Sequence, residues 1–284
     1  MYQSLVPLFA CLAFAHAGGA AQGNVVLVTG ATGRSGKEAY NELKALGFTV
    51  RALVRNATKA KAELGCQRCD ESEGVFVGDI LDPKSMAPAM KGVQSLVITV
   101  GPVFKCRFGP IGCKFLPGGT PKEIVFHGLK TQVAAFAGSA GPALGQRHVV
   151  LLSTGLTTKP DNFLDRIGNG STCFYSLNGE TALMNSGVPF TIVKACGLSD
   201  GASGRSHLVV GHDDSVVGFS QVSRADVARV LAAAVAHPTV SKGLRFDLCT
   251  SVFGKPTADI PSLFKEAAYS WDPRVDTAAV PLNI

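Results

Sequence analysis

VLVTGATGRSGKEAY, residues 26–40, runs from a short β-branched apolar stretch into three glycines and out into a pattern with helical spacing. Gly30, Gly33 and Gly36 stand at G-x-x-G-x-x-G spacing, after a strand signal and at the opening of a helix. In such a turn the first two glycines allow a tight bend and close backbone approach, and the third lets helix and strand pack closely. The free N–H groups at the helix start then face a pyrophosphate. The stretch therefore predicts a dinucleotide site, with Thr32, Arg34 and Ser35 filling the turn between the glycines.

Outward from this turn, apolar runs recur at residues 25–29, 48–54, 75–77, 96–100, 148–152, 190–193 and 244–248, with helix-like segments between them. Continuously apolar strands alternating with helices imply an α/β chain whose parallel sheet is covered on both faces. The expected fold is a Rossmann-type doubly wound parallel sheet, a single domain over residues 24–284. A hydrophobic fraction of 46% in 284 residues is ample for its core. The net charge of +6 is scattered, with no Lys/Arg-rich block, which argues against a nucleic-acid partner and suits a small anionic ligand. Residues 1–23 read as a cleaved leader, because an apolar run over 5–15 is followed by Ala15-His16-Ala17. Such a leader directs export through the secretory route or into a plastid; without it the chain is cytoplasmic. No later stretch reads as a membrane span.

The second strand decides which dinucleotide fits. FTVRALVRN, residues 48–56, ends on Arg55 and not on an acid that would accept from a ribose 2′-hydroxyl. A guanidinium there pairs with a 2′-phosphate, so NADP is expected over NAD, and Arg34 adds to the same site. Asp79, at the end of the third strand, is placed to accept from the adenine amino group or to cap the strand end, and Ile80 beside it joins the cofactor-binding set. Two irregular stretches, GPVFKCRFGPIGCKFLPGGTP (residues 101–121) and residues 157–172, follow the fourth and fifth strands at the carboxyl edge, where open sheets bind ligands.

VLVTGATGRSG, RALVRN, VFVGDILDP, LLSTGL, RIGNGS, NGETALMNSGVPFTIVKACGL and VSRADVARVLAAAV follow one another in an order that resembles the atypical short-chain dehydrogenase/reductase proteins of the NAD(P)-binding, NmrA-like kind. The small single-domain plant and algal members are the most similar. The resemblance implies a Rossmann fold with NADP across the carboxyl edge. It also implies a serine at Ser153 and a proton-donating tyrosine, for which Tyr175 is the candidate. Typical enzymes of this kind place a lysine four residues after the tyrosine, to lower its pKa and hold the nicotinamide ribose. This chain has Gly179 there, and Asn178 where its relatives carry lysine. An asparagine can bond a ribose but cannot depress a phenol pKa by charge. Lys194, where such proteins often carry arginine, is a candidate substitute; otherwise it is a strand-end lysine reaching solvent.

Eight cysteines raise the question of metal. Cys66 and Cys69 precede the third strand at the amino edge, whereas Cys106 and Cys113 follow the fourth at the carboxyl edge, so no four-cysteine zinc site is expected and the metal set is empty. Cys106 and Cys113 can pair within their loop if the chain is exported. Cys173, Cys196 and Cys249 read as small apolar fillers, and His127, His207 and His212 as surface or loop residues. Two functions stay open. One is an NADPH-dependent oxidoreductase acting on a small carbonyl or quinone-like substrate. The other is a catalytically weak NADP-binding sensor, or an assembly or regulatory protein with an unspecified protein partner.

Overall fold

Branched apolar side chains favour strands because they fit a pleated surface covered on both faces. In the computed structural model, which describes residues 24–107, 112–159, 162–216 and 221–269, the strands in chain order are β1 (Val25–Thr29), β2 (Thr49–Val54), β3 (Val75–Val77), β4 (Ser95–Ile98), β5 (Phe104–Lys105), β6 (Lys114–Phe115), β7 (His148–Thr154), β8 (Phe190–Ala195), β9 (Gly197–Ser199), β10 (His207–Gly211), β11 (Gln221–Ser223) and β12 (Leu244–Ser251). The expected leader, residues 1–23, lies outside the described residues. The helices are α1 (Arg34–Ala45), α2 (Ala57–Leu64), α3 (Pro83–Met90), α4 (Leu129–Gly138), α5 (Phe163–Arg166), α6 (Thr172–Met184), α7 (Arg224–Ala236), α8 (Pro238–Ser241) and α9 (Ile260–Glu266). A π-helical stretch, Lys122–Gly128, runs directly into α4.

The main sheet has the order β10-β12-β8-β7-β4-β1-β2-β3, and every pairing in it is parallel except β10 with β12. This is a Rossmann-like domain with a mostly parallel sheet. The strand order reverses between β1 and β4, which opens a crevice at their carboxyl ends. The antiparallel edge strand β10 departs from the all-parallel expectation. HLVVG is short and no crossover helix separates it from what precedes it, so sequence rhythm does not mark it as a strand.

Both faces are buried, and alternate residues of one strand supply different cores. Val26, Val28, Val150 and Val193 pack with Ala39, Leu43, Leu231 and Phe264 on the α1, α7 and α9 side. Leu27, Val149, Leu151 and Ile192 pack with Met86, Leu129, Phe136 and Leu183 on the α3, α4 and α6 side. Caps fall where sequence chemistry places them: the Asp82 side chain accepts from Lys84 N at the start of α3, and the Ser223 side chain from Asp226 N at the start of α7. Among the described residues no helix is long and apolar enough to cross a membrane.

The cysteines correct one expectation. Cys196 and Cys249 are not separate fillers; they form a disulfide. They follow the β8–β12 register pair Ala195 and Leu248 on neighbouring strands, with Cα atoms 5.2 Å apart, a proximity that linear sequence cannot reveal. Cys66 pairs with Cys69 and Cys106 with Cys113, while Cys173 is buried and free. The Cys106–Cys113 bond closes the loop that carries the β5–β6 hairpin, where Phe104 lies edge-on to Phe115. Phe115 in turn fills the space against Gly170, where a Cβ has no room. The loop after β4 is thereby locked to the loop after β7.

Candidate functional site

The turn from β1 to α1 is built as its glycines require. Gly30 has φ +78°, a left-handed conformation that L side chains rarely adopt, and a Cβ there would meet Thr99 Oγ1 at 2.9 Å. Gly33 N donates to Gly30 O at 2.8 Å, and a Cβ on Gly36 would run into Gly30 O. Gly33 is the N-cap of α1, and no side chain caps that terminus. The first-turn N–H groups and the positive end of the helix dipole are therefore free to meet an anion.

Several hollows open at this terminus, and two of them run along the carboxyl edge of the sheet. The smaller, about 240 Å³, is bounded by Gly30, Thr32, Gly33, Gly78 and Ile80, with Arg55 and Lys59 on its rim. Both cations are exposed, and among the described residues neither makes an ion pair. Asp79 is exposed nearby, and its Oδ1 accepts from Leu81 N at 2.9 Å, so the carboxylate shapes its own turn with one oxygen left over. The larger hollow, about 470 Å³, extends from Gly33 and Ser35 across the ends of β4 and β7 to α6. Its lining is mostly apolar, and Ser153, Thr154, Thr172 and Ser176 are among the polar residues on it. The ionisable side chains that line it are Arg34 and Arg224. Both donate to Asp200, and the Arg34 bond above all holds that carboxyl below its usual range. The three tie the β1–α1 turn to the end of β9.

The residues present fit a dinucleotide. A cradle that excludes a Cβ, an open helix N-terminus and two exposed cations, Arg55 just after β2 and Lys59 on α2, suit the phosphates of a dinucleotide, and the larger hollow adjoins them. Gly30, Thr32, Gly33, Arg34, Ser35, Gly36, Arg55 and Ile80 are brought to one edge of the sheet, with Asp79 beside them.

The residues expected to do chemistry are not brought together. Ser153 lies in the larger hollow, where its Oγ donates to Glu180 Oε1. Tyr175 is turned away: its ring packs 6.4 Å from Phe126 and 5.2 Å from Phe174, and it lines a separate hollow beside Lys114 and Lys122. Helix geometry explains this. Tyr175 and Gly179, four apart, share the α6 face that meets the π-helical stretch, where a Cβ at 179 would run into Val125 O. A lysine at 179 has no room. Thr172, Ser176 and Glu180 share the face toward the sheet and the hollow. Asn178 donates to Phe174 O at 2.7 Å within its own helix, and does not line the larger hollow.

Lys194 neither lines the hollow nor reaches solvent. It is fully buried between Asp214 and Asp247, with Nζ 2.8 Å from a carboxylate oxygen of each. Burial works against the Asp214 carboxylate, but bonds from Lys194 and Thr158 outweigh it and hold that group below its usual range. At Asp247 burial prevails over Lys194 and lifts the carboxyl. Asp214 also accepts from Leu156 N and Thr158 N, so the charge set braces the loop after β7.

Sequence reasoning did not assign Glu180 and Arg245. Glu180 is fully buried, and Arg245 Nε donates to its Oε2 at 2.8 Å. Burial raises the Glu180 carboxyl above its usual range, against the pull of Arg245 and the Ser153 hydroxyl. The available signal was an acid in the otherwise uncharged helix TCFYSLNGETALM.

A family model described as NAD(P)H-binding matches residues 30–238. The chain is 30% identical over 273 residues to sanguinarine reductase of Eschscholzia californica, covering 85% of this chain and 95% of that one. It is 35% identical over 254 residues to an uncharacterised chloroplastic protein of Arabidopsis thaliana, covering 85% of this chain and 74% of the relative. Among solved structures, an oxidoreductase from Lactococcus lactis has the same fold, with a TM-score of 0.62 at 16% identity over 85% of this chain and 95% of that one.

Proposed function

The chain belongs to the NAD(P)H-binding family of atypical short-chain dehydrogenase/reductase proteins, and from that premise we propose that it is an NADPH-dependent reductase of a small carbonyl or quinone-like substrate. One observation carries the reading: two adjoining hollows share Gly33, Thr99, Val100 and Gly101 at the uncapped N-terminus of α1, one rimmed by Arg55 and Lys59 and the other mostly apolar and lined by Ser153. Arg55 and Lys59 take the 2′-phosphate, the α1 terminus the pyrophosphate, and the hollow the nicotinamide and the acceptor. When bound, the cofactor supplies a hydride. This chain supplies the cradle, a dry apolar surround that excludes water, and the Ser153 hydroxyl for the acceptor oxygen. Sanguinarine reductase, over most of whose length this chain aligns, supports a small aromatic acceptor.

The test is consumption of NADPH and of NADH by the purified protein with a panel of quinones, aldehydes and sanguinarine. Turnover that prefers NADPH supports the reading, and Ser153→Ala should lower it for carbonyls. A second reading, an NADP-binding sensor or assembly protein with weak chemistry, rests on Gly179 and on Tyr175 facing away from the hollow. Tight NADPH binding without turnover of any acceptor would favour it. The apolar run over residues 5–15 and the chloroplastic relative support delivery to a plastid by a leader within residues 1–23. N-terminal sequencing of the natural protein that begins near Gly18 would bear this out, and a start at Met1 would reject it.

A further inference from the structure

We propose that Glu180 is the proton store of the reduction and delivers its proton to the acceptor oxygen through the Ser153 hydroxyl. The inference rests on the reductase reading, and begins from what that reading lacks. Reducing a carbonyl needs a proton as well as a hydride, and Tyr175 and Lys194 both lie outside the hollow. The ionisable side chains lining it are two arginines, which do not give up protons. Ser153 is the hydroxyl there that is bonded to a carboxyl, and that carboxyl is closed off from water at 0% exposure.

The direction of the Ser153 hydrogen depends on the state of its partner. Against an ionised Glu180 the serine spends its hydrogen on the carboxylate and turns a lone pair toward the acceptor. Against a protonated Glu180 the carboxyl O–H donates to Ser153 Oγ, and the serine hydrogen is free to point into the hollow. Arg245 on β12 bonds Oε2, and Asp213 lies on the far side of that guanidinium with its Oδ1 3.2 Å from Nη1. Lys194 acts from β8 and is itself held by Asp214 and Asp247, while the Cys173 thiol at the start of α6, pushed up to about 12, carries no charge. Burial outweighs the cations and lifts the carboxyl above its usual range, toward the protonated form the delivery needs.

The step balances as follows. The hydride from NADPH forms a C–H bond at the carbonyl carbon, and the C=O π pair moves onto oxygen. That oxygen takes the Ser153 hydrogen while Ser153 Oγ takes the proton of Glu180. The carbonyl becomes an alcohol, NADPH becomes NADP+, and Glu180 becomes a carboxylate facing the Arg245 guanidinium. It regains a proton from solvent through the Ser153 hydroxyl once the product has left the hollow. Arg245 is a positioning residue: it stabilises the carboxylate left behind and fixes Oε1 toward the serine.

The experiment pairs two acceptors with a readout that needs no turnover. 4-Nitrobenzaldehyde requires a proton, whereas sanguinarine, an iminium, takes hydride alone. Glu180→Gln is expected to lower aldehyde turnover by about a hundredfold, within the range for loss of acid catalysis, and to abolish the decline of kcat/KM that the wild type should show as pH rises through the Glu180 pKa. Sanguinarine turnover should stay within about twofold. Ser153→Ala, which leaves the Glu180–Arg245 pair intact, should reproduce the aldehyde loss if Glu180→Gln folds poorly. Independently, the infrared difference between wild type and Glu180→Gln at neutral pH should contain the C=O stretch of a protonated carboxylic acid. Equal losses for both acceptors, an unchanged pH profile, or an ionised Glu180 at neutral pH would overturn the proposal. The acid band with no turnover of either acceptor would overturn the reductase reading, and the delivery step with it.

Discussion

At the Arg55 end of the groove, Gly30, Gly33, Gly36 and Arg55 sit where their spacing puts them, whereas at the Ser153 end Tyr175, Asn178 and Lys194 face three different surroundings. The first end is made of backbone. A left-handed Gly30, an N-cap glycine and a helix terminus are properties of consecutive residues, so a spacing in the sequence is already a geometry in space. The second end is made of side chains projecting from α6 and β8, and their directions are fixed by what packs on those elements. A shift of one residue on α6 turns a side chain by about 100°, enough to move Tyr175 out of the hollow that Ser176 enters. A motif read from backbone therefore transfers more safely than one read from side chains.

The contrast is broken or sharpened most strongly at Lys194. Lys194→Met leaves Asp214 and Asp247 buried without their shared cation, and is expected to cost about 3–5 kcal/mol in denaturant unfolding. NADPH affinity of the folded protein should stay near that of wild type, because the ammonium does not line the groove. Lost cofactor binding at unchanged stability would place Lys194 at the cofactor after all.

Gly36→Val strikes the backbone end. Its side chain has no room against Gly30 O, and shifting the turn should cost about 1–3 kcal/mol of stability. Disruption of the pyrophosphate cradle should weaken NADPH binding by about a hundredfold, or about 2.7 kcal/mol, as read by fluorescence titration. Retained affinity in a folded variant would reduce the motif to a turn. Arg55→Asp should narrow or reverse a preference for NADPH over NADH by about tenfold or more, since it replaces a charge-assisted bond to phosphate with repulsion. Lys59 on the same rim sets a floor to that loss, and equal affinities in the wild type would remove Arg55 from the site.

The smallest effect is expected at Tyr175. Tyr175→Phe keeps the ring against Phe126 and removes only a hydroxyl outside the larger hollow, so stability should move by no more than about 0.5 kcal/mol. Carbonyl turnover should change less than about twofold, against the hundredfold expected for a lost general acid. A large loss would show that Tyr175 swings into the hollow during the reaction and would dissolve the contrast between the two ends.

Most of the fold was legible before any coordinates. Each of the seven parallel strands of the main sheet overlaps an apolar run, because a strand buried on both faces is mostly apolar and its length limits the run. The caps at Asp82 and Ser223 were equally legible, since capping is settled within four residues. The edge strand β10 was not, because its partner β12 lies more than thirty residues away and antiparallel pairing leaves no local mark on so short a run.

The sequence by itself determined the sheet class, the glycine turn after β1, the helix start that follows it and the cation in place of an acid at Arg55. Each follows from the chemistry of near neighbours along the chain. Only the tertiary structure decided that Cys196 meets Cys249, that Gly179 is pressed against Val125, that Lys194 is enclosed by two aspartates, and that Ser153 shares a hydrogen bond with a buried glutamate. Those four depend on which faces of distant elements pack together, and burial then sets whether a charge is paired or a carboxyl lifted above its usual range. Linear spacing does not encode that environment until the chain has folded.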